Sequence, residues 1–360
     1  MSNARKLADN LPSEGQLSGR NVIINGAMQV AQRGTSSTNT NTFGSVDRFF
    51  MSASALDELA ITQTQASDGP SGFSKSFKVT ITTAESSLAA DELFSMRHRI
   101  EAQNLQLLDF NTSSAKTVTV SFYVKSSITG TYAFAIYNAD AGRNITNTYT
   151  IDSANTWERK TITIAGDTSG VIDDNNGYAF ELSWILSAGT TYTGGSGADS
   201  WHTYANNKYA AGHAVDVAST LNATWQVTGV QLEVGSQSTP FEHEPYETTL
   251  RKCQRYYYSF KTDNQNGVIL MHQDRLTDGY IGSLHMPTEM RAAPTVTHQG
   301  MDRMHKPGIR YDTLGSSLGF SFIHPHAFVF SVNASTTDTD SQTAYLGASS
   351  GGTINVDAEL

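Results

Sequence analysis

The sequence has 360 residues, a length typical of about two domains. Only 16% of the residues are charged and the formal net charge is −10, which argues against nucleic-acid binding because that requires basic patches. No apolar run reaches the ~18 residues that span a bilayer, the first residues lack the apolar core of a signal peptide, and one cysteine excludes an intrachain disulfide. A composition rich in Gly, Ser, Thr, Asn and Tyr is typical of a many-stranded β protein.

Residues 1–20 are predicted to form a separate N-terminal segment. Ala4, Leu7, Ala8 and Leu11 recur at helical spacing before Pro12 ends the pattern, which indicates a short amphipathic helix. A frayed terminus is the alternative. If the helix forms, its apolar stripe needs a partner, either sister chains or another protein.

Residues 21–245 carry repeated strand signals with few helical interruptions. Apolar residues alternate with polar ones, so each predicted sheet has a single buried face. Two such sheets stacked together give a sandwich of the jelly-roll type. The clearest alternating sets are Phe77/Val79/Ile81, Val118/Val120/Phe122/Val124, Tyr132/Phe134/Ile136, Ile162/Ile164 and Tyr178/Phe180/Leu182/Trp184.

The last strand of this region contains a change of frame. Trp225 and Val227 stand on the opposite parity from Val230 and Leu232. A β-bulge at the intervening Gly229 would turn both pairs toward one core. The sequence therefore predicts a bulge at this glycine.

Residues 189–211 read as an excursion from the sandwich, because they are rich in Gly, Ser and Tyr and carry no strand pattern of useful length. Trp201, His202, Tyr204 and Tyr209 could form a platform on which sugars stack, since aromatic rings pack well on apolar sugar faces. The alternative is that Trp201 anchors the loop back onto the sandwich.

A second, smaller β-sandwich is predicted for residues 256–360, after a connector helix at residues 246–255. Helical spacing places Leu250 and Cys253 on one side of that helix, where Cys253 is expected to be a small buried apolar residue. Several short apolar alternations follow. They are Val268/Leu270, Tyr280/Leu284/Met286, Phe320/Phe322, Phe328/Phe330/Val332 and Ile354/Val356.

Separated phrases of the chain, in the same order, resemble those of phage tail-fibre and related virion proteins. The phrases are NVIINGAMQVAQRGTS (21–36), VDRFF (46–50), VQLEVGSQSTPFE (230–242), CQRYYYS (253–259), MRAAPTV (290–296) and INVDAEL (354–360). The resemblance implies a tail fibre in the virion, made in the host cytoplasm and assembled as a homotrimer. It also implies that residues 1–20 attach to the tail or to an adaptor protein, without membrane insertion.

A tail fibre recognises a receptor on the bacterial surface, either a glycan or a protein. We expect the smaller module to lie farthest out and the chain to have no enzymatic activity. The residues selected as the contact surface are Tyr280, Tyr311, His324, His326, Trp201 and Tyr204. The alternatives are a virion decoration or baseplate protein without adhesion, and a polysaccharide depolymerase.

No cofactor is expected, although two metal sites are conceivable. Jelly rolls of the carbohydrate-binding kind often hold a structural calcium ion, for which Asp47 and Glu233 could serve. His324 and His326 form an H-x-H pair, whose side chains would point the same way on a strand and could meet a metal on a trimer axis. Other carboxylates, Glu181 among them, are scattered and do not indicate the paired groups of a glycosidase.

Overall fold

The computed structural model describes residues 18–262, 269–274, 279–301, 303–306, 309–312, 318–332, 343–348 and 351–360. The predicted N-terminal helix lies outside the described residues. The chain divides into two compact units, Met1–Leu250 together with Leu360, and Arg251–Glu359. In the described residues, the regular structure of both units is nearly all antiparallel sheet with a few short helices, which confirms the predicted all-β class. Within the described ranges, no helix has the length and apolarity needed to cross a membrane.

The larger unit is built from strands β1–β13. Their bounds are β1 Ser36–Ser37, β2 Thr42–Phe43, β3 Phe49–Ser54, β4 Ala60–Ala66, β5 Ser76–Thr83, β6 Leu93–Glu101, β7 Val118–Ser126, β8 Gly130–Asn138, β9 Arg143–Ile151, β10 Glu158–Ile164, β11 Tyr178–Ala188, β12 His202–Thr203 and β13 Thr224–Val234. Short 3-10 helices cover Ala102–Leu108 and Asn206–Lys208, and helix α1 covers Thr190–Thr193. Helix α2, Tyr246–Gln254, follows the last strand at the predicted connector.

Two sheets enclose the core of the larger unit. One has the order β1-β4-β5-β13-β7-β10 and the other β12-β9-β8-β11-β6-β3-β2. Their inner faces meet through aromatic side chains, as in the edge-on contact of Phe122 with Trp184 at 5.7 Å between ring centres. Both rings are fully buried. The predicted sandwich is confirmed, because the alternating apolar sets point into this one core with a single exception. Tyr178, predicted to share the inward face with Phe180, is half-buried and outside that core, because the pairing of β11 with β6 shifts register between these two residues.

The bulge predicted at Gly229 is present in β13. The pairing of β13 with β7 shifts register between Thr228 and Gln231, and Gly229 has a φ of 63°. That left-handed conformation is easy only for glycine. Trp225 and Leu232 consequently both lie in the core, at 0% and 1% exposure.

The bulge also leaves room beside β13 for the first residues of the larger unit. Within β13, strand β5 pairs only with Thr224–Val227, before the bulge. Beyond it, Val22 donates from its amide to the carbonyl oxygen of Leu232 at 3.1 Å, and Val230 donates to the carbonyl oxygen of Gly26 at 3.0 Å. The N-terminal segment that contains Val22 and Gly26 is thus hydrogen-bonded to β13, the last strand of the larger unit.

The excursion of residues 189–211 covers part of the outer face of the seven-stranded sheet. Tyr209 and Ala210 pack on Ala133, Ala135 and Ile185, which point away from the main core. A small second core forms there, so the loop is a structured layer and not an open turn. This layer makes one wall of the cleft described below.

The smaller unit is built from strands β14–β23. Their bounds are β14 Tyr257–Thr262, β15 Ile269–Asp274, β16 Gly279–His285, β17 Thr295–Gln299, β18 Arg303–Lys306, β19 Ile309–Asp312, β20 Leu318–Ser321, β21 Ala327–Val332, β22 Thr343–Gly347 and β23 Gly352–Asp357. They form a sheet of order β14-β23-β17 and a sheet of order β19-β18-β22-β15-β16-β21-β20. Ile354 and Val356 of the first sheet share a core with Met271 and Phe330 of the second, which is a small sandwich as predicted.

Two strand assignments in the smaller unit are corrected. Ile269 and Met271 face the core while Leu270 is exposed, the reverse of the predicted parity, because the apolar run ILM gives no alternation to fix its phase. Phe322 follows the end of β20 with a φ of 48° and is 75% exposed, so it is not a core partner of Phe320.

Candidate functional site

A cleft rich in tyrosine lies on the outer face of the seven-stranded sheet of the larger unit. Its volume is about 350 Å³, within the range of ligand sites. We call it the tyrosine cleft. Its lining residues are Ser54, Leu93, Arg97, Arg99, Tyr137, Tyr178, Glu181, Tyr192, Tyr204 and Tyr209.

The two-residue period of three neighbouring strands places the polar groups of the cleft. Met96, His98 and Ile100 of β6 lie buried toward the sandwich, so Arg97 and Arg99 point outward. Phe180 and Leu182 of β11 lie in the core, which turns Glu181 outward in register with Arg99. The same alternation in β8 exposes Tyr137 on this face.

Glu181 bridges the two arginines at the floor of the cleft. Its Oε1 accepts from Arg97 Nη1 at 3.0 Å, and its Oε2 accepts from Arg99 Nε at 2.8 Å. The Arg99 guanidinium also stacks over the Tyr178 ring, 4.6 Å from its centre. Arg97 Nε also donates to the Ser95 hydroxyl at 3.0 Å, and Arg99 Nη1 donates to the carbonyl oxygen of Leu360. These contacts fix both guanidinium planes and leave the Nη2 group of each arginine as a donor to a ligand.

The excursion supplies the aromatic wall opposite the sheet. Tyr204 is 39% exposed, and its ring contacts Tyr137 edge-on at 5.4 Å and Tyr209 at 5.7 Å. Tyr209 is buried and its hydroxyl lies 2.8 Å from the Ser183 hydroxyl. Tyr192 of helix α1 is half-buried beside them. Tyr209 therefore supports the wall, while Tyr204 and Tyr192 present ring surface to the cleft.

Three phenol groups of the cleft stay protonated at neutral pH. Burial is the main cause that raises the pKa of Tyr178, Tyr204 and Tyr209 above the ordinary tyrosine value. A protonated phenol both donates and accepts hydrogen bonds. Together with Arg97 and Arg99, the cleft offers ring faces and directed donors to a ligand rich in oxygen.

The structure separates the two roles considered for the excursion. Trp201 donates from its indole nitrogen to the carbonyl oxygen of Ala165 at 2.8 Å and packs edge-on against Phe110. It is the anchor of the loop, the second of the alternatives stated above. Of the four residues predicted as a sugar platform, Tyr204 and Tyr209 line the cleft, whereas Trp201 and His202 do not.

The contact residues predicted in the smaller unit do not come together as one surface. Tyr280 is 1% exposed and belongs to the core, so its selection as a contact residue is corrected. Tyr311 is in β19, and its side chain lies outside the described residues. His324 and His326 are exposed in the turn between β20 and β21, where the His324 amide donates to the carbonyl oxygen of Ala327. The H-x-H pair is thus not on a strand as predicted.

The carboxylates proposed for structural calcium already accept other hydrogen bonds. Asp47 accepts from the amide and the side-chain nitrogen of Gln32 at 2.9 and 2.6 Å. Glu233 accepts from the amide and the hydroxyl of Thr239 at 2.8 and 2.6 Å and lies 3.6 Å from Arg20 Nε. N–H and O–H donors occupy the lone pairs that an ion would need, so the geometry of these two residues does not fit a calcium ion.

Sequence reasoning did not find Arg97, Arg99, Tyr137, Tyr178 or Tyr192 as site residues. A signal was present in β6, where Met96, His98 and Ile100 alternate with the two arginines. The pattern was obscured because the inward position between Met96 and Ile100 is a histidine. His98 is buried and donates a hydrogen bond from Nδ1 to the Arg48 carbonyl oxygen, 3.1 Å away. Burial lowers its pKa well below the ordinary histidine value.

Comparisons with known proteins give structural similarities at low identity. No known family model matches the sequence, and no curated protein matches it. The enzymatically active domain of bacteriophage CBA120 tailspike protein 4 is similar at 13% identity and a TM-score of 0.34, over 60% of this chain and 21% of that one. The family 11 carbohydrate-binding module of the Clostridium thermocellum cellulase Lic26A-Cel5E is similar at 12% identity and a TM-score of 0.29, over 58% and 98%.

A third structure, TmCBM61 in complex with β-1,4-galactotriose, is similar at 10% identity and a TM-score of 0.29, over 60% of this chain and 99% of that one. The tailspike match spans about a fifth of the tailspike chain. Membership of the tail-fibre family stays a prediction based on the sequence phrases.

Proposed function

We propose that the protein binds a glycan in the tyrosine cleft of its larger unit. The observation that carries the proposal is the pairing of aromatic ring surface, from Tyr178, Tyr192 and Tyr204, with two arginines held by Glu181. Sugars present apolar C–H faces and rings of hydroxyl groups. Tyrosine faces pack against the former, and guanidinium and phenol groups bond to the latter.

The rigidity of the cleft supports this proposal. Its floor residues stand on three adjacent strands, and its wall is fixed by the second core around Tyr209. The Glu181 bridge and the stacking of Arg99 on Tyr178 hold the side chains before any ligand arrives. Preorganisation of this kind lowers the entropy that binding loses.

Binding without hydrolysis is the activity that we propose. Glu181 is the carboxylate among the described lining residues, and two arginines neutralise it. A glycosidase of the usual kind needs a second carboxylate about 5–10 Å away to act as acid, base or nucleophile. The cleft chemistry therefore favours recognition over cleavage.

In its biological setting, we propose that the chain is a phage tail fibre that recognises a bacterial surface glycan. The sequence phrases shared with tail-fibre proteins support the virion setting, and residues 1–20 would attach the chain to the tail. A weak single site is typical of glycan recognition, and three copies in one fibre would raise the avidity.

Replacing Tyr204 by alanine is expected to weaken glycan binding at least tenfold, a loss of about 1.4 kcal/mol or more. The ring is 39% exposed and contributes stacking surface to the cleft, and its loss leaves the second core around Tyr209 in place. Binding would be measured on a printed array of bacterial capsular and lipopolysaccharides, followed by calorimetry on the strongest hit. Thermal unfolding of the variant should match that of the parent.

The matched control is Tyr246→Ala, which removes a tyrosine that is 50% exposed and outside the cleft. It should bind like the parent protein. Equal binding by Tyr204→Ala and the parent, or the absence of any bound glycan, would contradict the proposal. If size-exclusion chromatography instead showed that the protein shortens the bound polysaccharide, the protein would be a depolymerase.

We further propose that the smaller unit contributes to a homotrimer. Leu270 and Tyr345 are cross-strand partners on β15 and β22, and His272 and Ile281 are partners on β15 and β16. All four therefore lie on the same sheet face. Leu270, Ile281 and Tyr345 are each 38–46% exposed, which leaves an apolar patch that a sister chain would cover.

The double variant Leu270→Ser/Ile281→Ser should shift the protein from trimer to monomer, because it removes the apolar side chains of that patch. Light scattering during gel filtration would measure the mass against the 39.0 kDa chain. Leu221→Ser, at a leucine that is 58% exposed in the larger unit, is the control and should stay trimeric. A parent protein that runs as a monomer, or a double variant that stays trimeric, would refute this interface.

A further inference from the structure

We propose that the larger unit binds a Ca²⁺ ion between two of its loops, with Asp57, Glu85 and Glu92 as ligands. Asp57 lies in the loop between β3 and β4, and the two glutamates lie at either end of the loop between β5 and β6. Carboxylate oxygens of the three residues lie within 4.8 Å of one another. This site is separate from the tyrosine cleft and does not depend on glycan binding.

Glu85 provides an independent sign that a ligand belongs there. Its side chain is 3% exposed, and its Oε2 has no hydrogen-bond partner among the described residues. A buried carboxylate oxygen that has lost water and gained no donor is costly to the fold. A bound cation would remove that cost, since the carboxylate is directed at the other two acidic groups.

Basic side chains do not balance this cluster in the part of the chain that the structure describes. The ion pairs found there involve other carboxylates, such as Glu181, Asp167 and Glu158, and none includes a member of the cluster. Glu92 is also buried, and its Oε2 accepts only a neutral amide, that of Ala89 at 2.7 Å. Three crowded negative charges thus lack a protein counter-charge.

The donor set favours calcium among the common cations. All three ligands are hard carboxylate oxygens, with neither imidazole nor thiolate in the group, which suits Ca²⁺ or Mg²⁺ and not Zn²⁺. Three protein carboxylates around one ion suit Ca²⁺, because Mg²⁺ usually keeps several waters and binds through only one or two carboxylates.

Both loops are held in place by the rest of the fold. Leu56 and Leu59 flank Asp57 and pack against the main core. The amide of Ser86 donates to Glu58 Oε2 at 3.0 Å, which joins the two loops beside the cluster. One loop begins after Ser54 and the other ends before Leu93, its cross-strand partner. Both residues also line the tyrosine cleft, so an ion here would stiffen one edge of that cleft.

The test uses the full chain, freed of metal with a chelator and then titrated with CaCl2 during thermal unfolding. All four tryptophans lie in the larger unit, so their fluorescence reports on it alone. Saturating Ca²⁺ should raise the Tm of the parent protein on the order of 5 °C, as expected for an ion that binds only the folded state. Glu85→Gln should show no such rise, and without Ca²⁺ it should melt at or above the metal-free parent.

Asp174→Asn is the matched control, because it removes an exposed carboxylate remote from the cluster and should keep the full response to Ca²⁺. A parent Tm that does not respond to Ca²⁺ would overturn the proposal, as would a full response in Glu85→Gln/Glu92→Gln. An equal or larger rise with MgCl2 would refute the choice of calcium. If the protein responds to Ca²⁺ but binds no glycan, the calcium site is supported and only the proposed function of the tyrosine cleft is refuted.

Discussion

Replacement of Gly26 by alanine is expected to destabilise the larger unit by about 3 kcal/mol or more. A Cβ atom at this position would stand 2.1 Å from the carbonyl oxygen of Val230 and 3.4 Å from the Phe241 ring. The closest neighbour is backbone, which cannot rotate away as a side chain can. Strand β13 and the N-terminal segment around Gly26 would therefore have to move apart.

Separation at this point would break more than one contact. The Val230 amide donates to the Gly26 carbonyl oxygen at 3.0 Å, and Asn21 holds both the amide of Leu232 and the carbonyl oxygen of Val230. These bonds satisfy the part of β13 that β5 does not reach. The bulge at Gly229 makes room for the N-terminal segment beside β13. Gly26 and Gly229 therefore both support the contact between that segment and the strand.

Urea unfolding followed by tryptophan fluorescence would measure the change in the free energy of unfolding. Gly194→Ala is the control, since a Cβ there meets nothing closer than the Thr190 carbonyl oxygen at 3.8 Å, and it should change stability by less than about 0.5 kcal/mol. The free energy of unfolding of Gly26→Ala could instead lie within about 1 kcal/mol of that of the parent, which is the effect of an ordinary mutation. The close packing of the N-terminal segment around Gly26 on β13 would then be wrong.

Acidification from pH 7 to pH 4.5 should remove about 2.5 kcal/mol of stability through His213 alone. Burial lowers the pKa of His213 from 6.5 to about 4 in the folded protein, and this effect is partly offset by the carbonyl oxygens of Leu186 and Val215 and by the charge of Asp216. Its Nδ1 accepts a hydrogen bond from the Ala133 amide at 3.1 Å, which requires that nitrogen to carry no proton.

The sign follows from the proton balance. Between the two pKa values, the unfolded chain binds a proton at this histidine and the folded chain does not, so stability rises with pH. The contribution is complete above pH 6.5 and declines as the pH falls toward 4. Buried His98, whose pKa is also lowered, acts in the same direction.

His213→Asn isolates this contribution, because the amide oxygen of asparagine can replace the Nδ1 acceptor without titrating. The variant should lose packing at pH 7 and show a shallower decline of unfolding free energy down to pH 4.5, with tryptophan fluorescence in urea as the measurement. His243→Asn changes an exposed histidine and serves as the control, which should keep the parent slope. An unchanged slope in His213→Asn would mean that His213 takes up its proton in the folded protein as readily as in the unfolded chain, which would contradict the prediction.

Strand periodicity predicted the larger sandwich well because apolar residues alternate with polar or small ones along most of its strands, even where both faces of a strand such as β11 are buried. The phase of an alternation such as Val118/Val120/Phe122 is fixed by its own sequence, and the frame slip around Gly229 predicted the bulge. The same reasoning set the wrong phase for Leu270, where three apolar residues in succession leave the choice open. It also placed His324 and His326 on a strand, whereas they lie in a turn.

The candidate site was only partly accessible from the sequence. Tyr204 stood out because the excursion is rich in aromatic residues, but the same reasoning could not separate it from Trp201, which faces the main core. The partners of Tyr204 come from β6, β8 and β11, about 25–110 residues earlier, a distance that no local pattern bridges. Glu181 could be seen only as one of several scattered carboxylates until the register placed it between Arg97 and Arg99.

By itself, the sequence determined the all-β class, the faces of the regular strands, the bulge and the order of the two units, because these depend on contacts between near neighbours and on the period of two. Only the tertiary structure decided which outward residues meet. Strand order brings β6 beside β11 and β11 beside β8, and the excursion then folds over them. The tyrosine cleft and the acidic cluster both arise from this long-range pairing, in which side chains far apart in the chain share one small volume.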